Sequence, residues 1–188
     1  MAKKGRSTSQ IKWLVIPLIL IGLVAAFVFF KGNTETKPSE STAYRVYQNS
    51  EIGFSISYPE SWELRSDTQA FENGDIVSFN KTGPTQKAQT EITDGARLSI
   101  AIPFAINTDL KSWLKDNFSN EAKFSQMTFG GVTFEQVNEC YIGCFIYFYT
   151  LKDGKVFGMA TFAAGDDSYK MVYENALLTM LKSFKFDN

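Results

Sequence analysis

From Trp13 to Phe30 the chain runs WLVIPLILIGLVAAFVFF, eighteen residues without a charge. As a helix this run is roughly 27 Å long, about the depth of a bilayer's hydrocarbon core. An all-apolar helix has no polar face to show water, so in a small protein the reading that remains is a membrane helix. Pro17 falls in its first turns, where a helix tolerates proline best, and Trp13 sits at one end, suited to the membrane interface. Lys3, Lys4, Arg6 and Lys12 precede the run with no acidic residue among them, which places the N-terminus in the cytoplasm and everything after Phe30 outside it. Val24-Ala25-Ala26 offers a signal-peptide cleavage site. Cleavage there would open the mature chain with Phe27-Val-Phe-Phe30, and the run exceeds the usual apolar core of a signal peptide. An uncleaved anchor is therefore expected.

The expected organisation follows: residues 1–12 a basic cytoplasmic tail, 13–30 a transmembrane helix, 31–43 a flexible linker and 44–188 an exported domain. The stretch Gly32–Thr42, GNTETKPSEST, has no large apolar residue, as a linker requires. Beyond it, residues 38–188 hold 13 Lys+Arg against 19 Asp+Glu, a net charge of −6 that the whole chain's −1 conceals. An acidic domain keeps itself soluble and is a poor match for nucleic acid. The chain has no His. That excludes Ser-His-Asp and Cys-His catalysis and His-ligated metal sites.

The exported part reads as α+β, a central antiparallel sheet with helices packed on it. Phe54-Ser-Ile-Ser-Tyr58 alternates strictly, with Phe54, Ile56 and Tyr58 on one face and serines on the other, and Pro59 stops it. Asp75–Asn80 reads as a strand. Arg97–Phe104 alternates with Leu98, Ile100, Ile102 and Phe104 to one side. Thr108 or Asp109 caps a helix that groups Leu110, Trp113, Leu114 and Phe118. Gly130-Gly131 separates Phe124–Phe129 from Val132–Glu139, and Asp153-Gly154 joins Cys144–Leu151 to Lys155–Ala163 by a type I′ turn. Cys144–Tyr149, apolar on both faces, reads as a strand covered on both sides. Asp166, Asp167 or Ser168 starts a last helix, with Tyr169, Val172, Tyr173, Ala176, Leu177, Met180 and Leu181 along one stripe.

Two segments carry a family resemblance. Tyr47-Gln-Asn-Ser-Glu-Ile-Gly-Phe54-Ser-Ile-Ser-Tyr58-Pro59-Glu-Ser-Trp62 resembles the opening of PsbP-like domains, where a strand runs into a Tyr-Pro-x-x-Trp corner. Leu181-Lys-Ser-Phe184-Lys-Phe186 is similar to that family's closing helix and strand. The resemblance spans about residues 44–186 and implies an α-β-α sandwich. It also implies a role in binding other proteins without catalysis, as in the extrinsic subunit of photosystem II and a small Ran-binding nuclear import factor. An anchor of its own and the lack of His set this chain apart from the photosynthetic subunit.

Cys140-Tyr-Ile-Gly143-Cys144 is the most specific local pattern. A three-residue loop ending in Gly143, in an oxidising compartment, suits a Cys140–Cys144 disulfide. Two reduced, half-buried thiols and a redox or metal pair are the alternatives. The spacing is not CxxC, and two thiolates without His need other ligands. Asp166-Asp167 fits a helix N-terminus better than a cation site. Glu91 and Asp94 lie in a polar loop, 81–96, with no partner evident. No nucleophile elbow, phosphate-binding glycine loop or dinucleotide fingerprint occurs. Phe145, Tyr147, Phe148, Tyr149 and Phe157 crowd one hairpin. Most of this reads as core, and any part left exposed would bind protein or stack on glycan.

These features point to a membrane-anchored extracytoplasmic domain that is not an enzyme and needs no cofactor. Its expected partners are an unknown protein and, through the anchor, the lipid bilayer, with no nucleic acid. A small-ligand or cell-wall-glycan binding module is the alternative.

Overall fold

The computed structural model describes residues 43–66, 74–88, 90–140 and 143–187. The expected membrane helix from Trp13 through Pro17 to Phe30, its basic tail and the linker lie outside them. No helix among the described residues is long and apolar enough to cross a membrane.

The domain begins with an antiparallel pair, β1 (Tyr44–Asn49) and β2 (Phe54–Pro59). Asn49 makes the turn between them: its carbonyl accepts from Gly53 N at 2.9 Å and its side chain from Ile52 N at 3.0 Å. Phe54, Ile56 and Tyr58 of β2 are all buried, the face that alternation marks as apolar. The serine face is not left to water. Ser55 is 5% exposed, because β10 (Lys185–Phe186) pairs with β2 at Ser55 and Phe54. Where β10 runs out, the hydroxyl of Ser183 takes over the free edge of β2, accepting from Ser57 N at 2.8 Å. These three strands form a sheet of their own, in the order β1-β2-β10.

A larger, seven-stranded antiparallel sheet holds β3 (Glu63–Arg65), β4 (Asp75–Thr82), β5 (Gly95–Ala101), β6 (Lys123–Phe129), β7 (Val132–Cys140), β8 (Cys144–Lys152) and β9 (Lys155–Ala164). Their order is β3-β4-β5-β9-β8-β7-β6. The β6–β7 turn has both glycines at positive φ, 58° at Gly130 and 77° at Gly131. The β8–β9 turn has Asp153 at 52° and Gly154 at 75°. Two central residues at positive φ are what a type I′ hairpin requires. Strand β5 is shorter than its alternation suggests. It ends at Ala101, because Pro103 has no N–H to continue the ladder. Phe104 rejoins only through an isolated bridge to Val156, and its ring packs on Trp113 at 5.2 Å instead of continuing the row of Leu98 and Ile100.

Among the described residues, two helices flank this sheet. α1 (Leu110–Asn117) is capped by Asp109, whose carboxylate accepts from the Ser112 hydroxyl and from Ser112 N. α2 (Asp167–Ser183) is capped by Asp166, which accepts from Ser168 N and Tyr169 N. These hydrogen bonds hold the carboxyls of Asp109 and Asp166 below their ordinary range. The buried stripe of α2, from Tyr173 through Leu177 to Leu181, joins β2, β5 and β9 in one core. α1 lies on the other sheet face, where Trp113 and Phe118 meet Tyr147 and Tyr149 of β8. The layering is thus helix, sheet, helix. The single expected sheet is divided in two, because the edge of β2 is taken by β10 and Ser183, not by a strand of the larger sheet.

The loop between β4 and β5 is fixed by one buried carboxylate. Asp94 is 2% exposed and accepts from Thr85 N at 2.8 Å, Thr85 Oγ1 at 2.7 Å and the Tyr173 hydroxyl of α2 at 3.1 Å. Gln86 folds the rest of the loop, accepting from Thr93 N and Asp94 N while its amide donates to the Glu91 carbonyl. Asp94, without evident partners in the sequence, is therefore the tie between this loop and α2. Removing a carboxylate with three partners leaves buried donors unsatisfied. Asp94→Ala is expected to cost about 2–3 kcal/mol in urea unfolding of the full chain, and Tyr173→Phe about 1 kcal/mol.

Candidate functional site

Strand β8 sends its side chains alternately to the two faces of the large sheet. Phe148 turns inward and packs within the core, 5.5 Å from Phe129. Phe145, Tyr147 and Tyr149 turn outward, to the α1 face. Register places Phe162, Ala160 and Gly158 of β9 beside them, and Glu139, Val137 and Glu135 of β7 on the other flank. The four aromatic rings form a row. Phe162 stacks on Phe145 at 4.7 Å, Phe145 on Tyr147 at 6.1 Å and Tyr147 on Tyr149 at 6.2 Å, with interplanar angles of 29°, 22° and 12°.

Cover over this row is uneven. At one end Tyr149 lies beneath Trp113 and Phe118, and a Cβ on Gly158 would come within 2.8 Å of its ring. Burial pushes the Tyr149 phenol well above its ordinary value. It raises Tyr147 too, with the negative charge of Glu139 adding to the effect. At the other end Phe145 is 41% exposed. The expectation that β8 is covered on both faces therefore holds for only half of the strand. α1 has eight residues and is about 12 Å long, whereas the nine residues of β8 extend about 30 Å.

The open end of the row forms the wall of a groove of about 1050 Å³, lined by Phe145, Tyr147 and Phe162 together with Arg97, Glu139 and Cys144. Glu91, Lys170 and Glu174 add charge at its rim. Arg97 extends along β5 to Asp75, 2.5 Å from Nη2 to the carboxylate, and its buried Nε has no hydrogen-bond partner among the described residues. Burial lifts the Asp75 carboxyl above its ordinary range even with Arg97 beside it. The ion pair thus gives the groove a fixed guanidinium at the side of an apolar ridge.

Cys140 and Cys144 are opposed in the β7–β8 register, with Cα atoms 4.1 Å apart, and are joined by a disulfide. Both are exposed, and the loop residues 141–142 lie outside the described residues. Gly143 serves a close approach: a Cβ there would meet the Phe162 ring at 2.6 Å. The bond therefore pins the hairpin end from which Phe145 projects.

Of the carboxylates singled out in the sequence, Glu91 reaches the groove and the others do not. Asp94 belongs to the core and Asp166 caps α2. Among the described residues, no three metal-ligating side chains stand together. Phe162, Arg97 and Asp75 were not singled out by sequence patterns. Phe162 had a usable signal, since counting back from the Asp153-Gly154 turn puts it opposite Phe145. Nothing local marks Arg97 and Asp75, which meet only through β4–β5 pairing.

No family model matches the sequence, and no curated protein matches it. Among solved structures, the domain is similar to a cyanobacterial PsbP (CyanoP) from Synechocystis sp. PCC 6803, at 14% identity and a TM-score of 0.44, over 82% of this chain and 98% of that one. It is also similar to LpqN, involved in cell envelope biogenesis of Mycobacterium tuberculosis, at 14% identity and a TM-score of 0.48, over 80% of this chain and 99% of that one. The first of these is a PsbP, the family that the segments around Tyr58 and Phe184 resemble.

Closing so short a loop constrains the unfolded chain by at most about 2 kcal/mol. Cys140→Ser with Cys144→Ser is therefore expected to leave the seven-stranded sheet intact. Amide exchange should quicken at residues 139–146 and stay unchanged in β5 and β9.

Proposed function

We propose that this chain is a non-catalytic extracytoplasmic domain, tethered to the membrane by residues 13–30, that binds a protein partner through the aromatic ridge of Phe162, Phe145 and Tyr147. The observation that carries this reading is the row of rings. Phe162 and Phe145 pack against each other with centroids 4.7 Å apart, so part of the face of each is taken up within the row. A sugar ring stacks on a free aromatic face. A partly exposed aromatic row beside a fixed guanidinium resembles instead the centre of a protein interface, where aromatics and Arg are enriched. The groove is also an open one, suited to a chain segment lying along it.

The carboxylates at the groove, Glu91, Glu139 and Glu174, support the alternative of a glycan or small ligand. One experiment separates the two. A photo-crosslinking amino acid is placed at Phe145 in the full chain in its native membrane, with the same group at Val46, 68% exposed on the small sheet, as the control. The expected result is one reproducible protein partner from position 145 that is not captured from position 46. Equal capture at both positions, or none at 145 together with binding of cell-wall glycan fragments, would overturn the proposal.

A further inference from the structure

The large sheet has two edges, and they differ. β3 at one edge is three residues long and carries Glu63 and Arg65, a short charged strand of the kind that discourages pairing. β6 at the other edge is seven residues long, KFSQMTF, with no proline and no bulge. Its one charge, Lys123, is at its end. Six of its seven residues are not buried, and Phe124 is 46% exposed.

The β6–β7 hairpin fixes which backbone groups face outward. A two-residue turn makes Phe129 and Val132 a hydrogen-bonded pair, and pairs alternate from there. Lys123, Ser125, Met127 and Phe129 thus spend their backbone groups on β7, and Phe124, Gln126 and Thr128 turn theirs outward. Among the described residues no backbone group pairs with these three.

We infer that β6 joins β6 of a second copy of this chain, antiparallel, about a two-fold axis through Gln126, so that the large sheet runs on from one copy into the other. In this register Gln126 faces Gln126 and Phe124 faces Thr128 of the second copy. About six interchain backbone hydrogen bonds then satisfy all three outward residues of each strand. The exposed Phe124 ring gains cover from the facing threonine. The charge pattern fits the same register. Each Lys123 lies opposite a Phe129, and the two lysines are about 20 Å apart along the strands, beyond the screening length at physiological salt. No like charges meet within the paired strands.

The test uses the full chain in its native membrane. Gln126→Cys places two thiols at the axis, within reach of a short bismaleimide, while Cys140 and Cys144 are bonded and do not react. The expected result is a crosslinked dimer from Gln126→Cys, and from a mixture of Phe124→Cys and Thr128→Cys chains, well above that from Val46→Cys. Co-purification of differently tagged copies provides a second measurement. Gln126→Lys should abolish it by setting two positive charges on the axis. The fold should be kept, because the introduced ammonium still reaches Glu135, to which the Gln126 amide donates at 2.7 Å. Dimer yield from Gln126→Cys no higher than from Val46→Cys, crosslinking to a different protein instead of a second copy, or co-purification unchanged by Gln126→Lys would overturn the inference.

Discussion

Phe184 is the residue on which the two sheets and α2 converge. It is fully buried where α2 ends and β10 begins. Its ring packs on Phe54 of the small sheet at 5.9 Å and on Phe157 and Phe134 of the large sheet at 5.5 and 5.7 Å. Each such aromatic pair adds of order 0.5–1.5 kcal/mol beyond the area it buries. The backbone is constrained as tightly as the ring. A Cβ on Gly130 would lie 1.9 Å from the Phe184 carbonyl, so the β6–β7 turn closes against the helix end only with glycine there. One residue earlier, Ser183 completes the edge of β2. The end of a single helix therefore fixes the small sheet, the large sheet and one of its hairpins.

That arrangement saturates one face of the large sheet and leaves the other unequal. On the inner face Val77, Phe79, Leu98, Ile100, Phe157 and Met159 are all nearly or fully buried. On the outer face the only described helix is α1, whose Trp113, with Phe118 just past the helix end, covers Tyr149, and Phe118 reaches Tyr147. Phe145 and Phe162 lie past its end, beside the Cys140–Cys144 bond and the Arg97–Asp75 pair. The same strand that closes the core with Phe148 thus offers an apolar ridge with Phe145.

What the sequence made legible is local. The alternation of β2, the two glycine-bearing turns and the period of α2 follow from spacings of a few residues, and the structure shows each; spacing narrowed the caps to Thr108 or Asp109 and to Asp166, Asp167 or Ser168, of which the structure uses Asp109 and Asp166. What it did not disclose depends on distance along the chain. Ser55 looks like a solvent-facing serine until Lys185 pairs with it, and Ser57 meets Ser183 across 126 residues. A two-residue strand such as β10 has no periodicity to read. The stop at Ala101 was signalled by Pro103, but the alternation through Phe104 masked it. The groove was half legible: Phe145 stood in an aromatic cluster and Phe162 followed from hairpin counting, whereas Arg97 and Asp75 meet only in the folded sheet.

The most direct test of this division between a structural and a functional face is a paired unfolding measurement on the full chain. Phe184→Ala and Phe145→Ala remove the same side chain from the two faces of the fold. The expected result is a loss of about 3–5 kcal/mol or failure to fold for Phe184→Ala, the cost of emptying a closed aromatic core. For Phe145→Ala the expected loss is below about 1.5 kcal/mol, since its ring is already 41% exposed. Equal losses at the two positions would mean that the outer ridge is a second core, and would contradict its assignment as a binding surface.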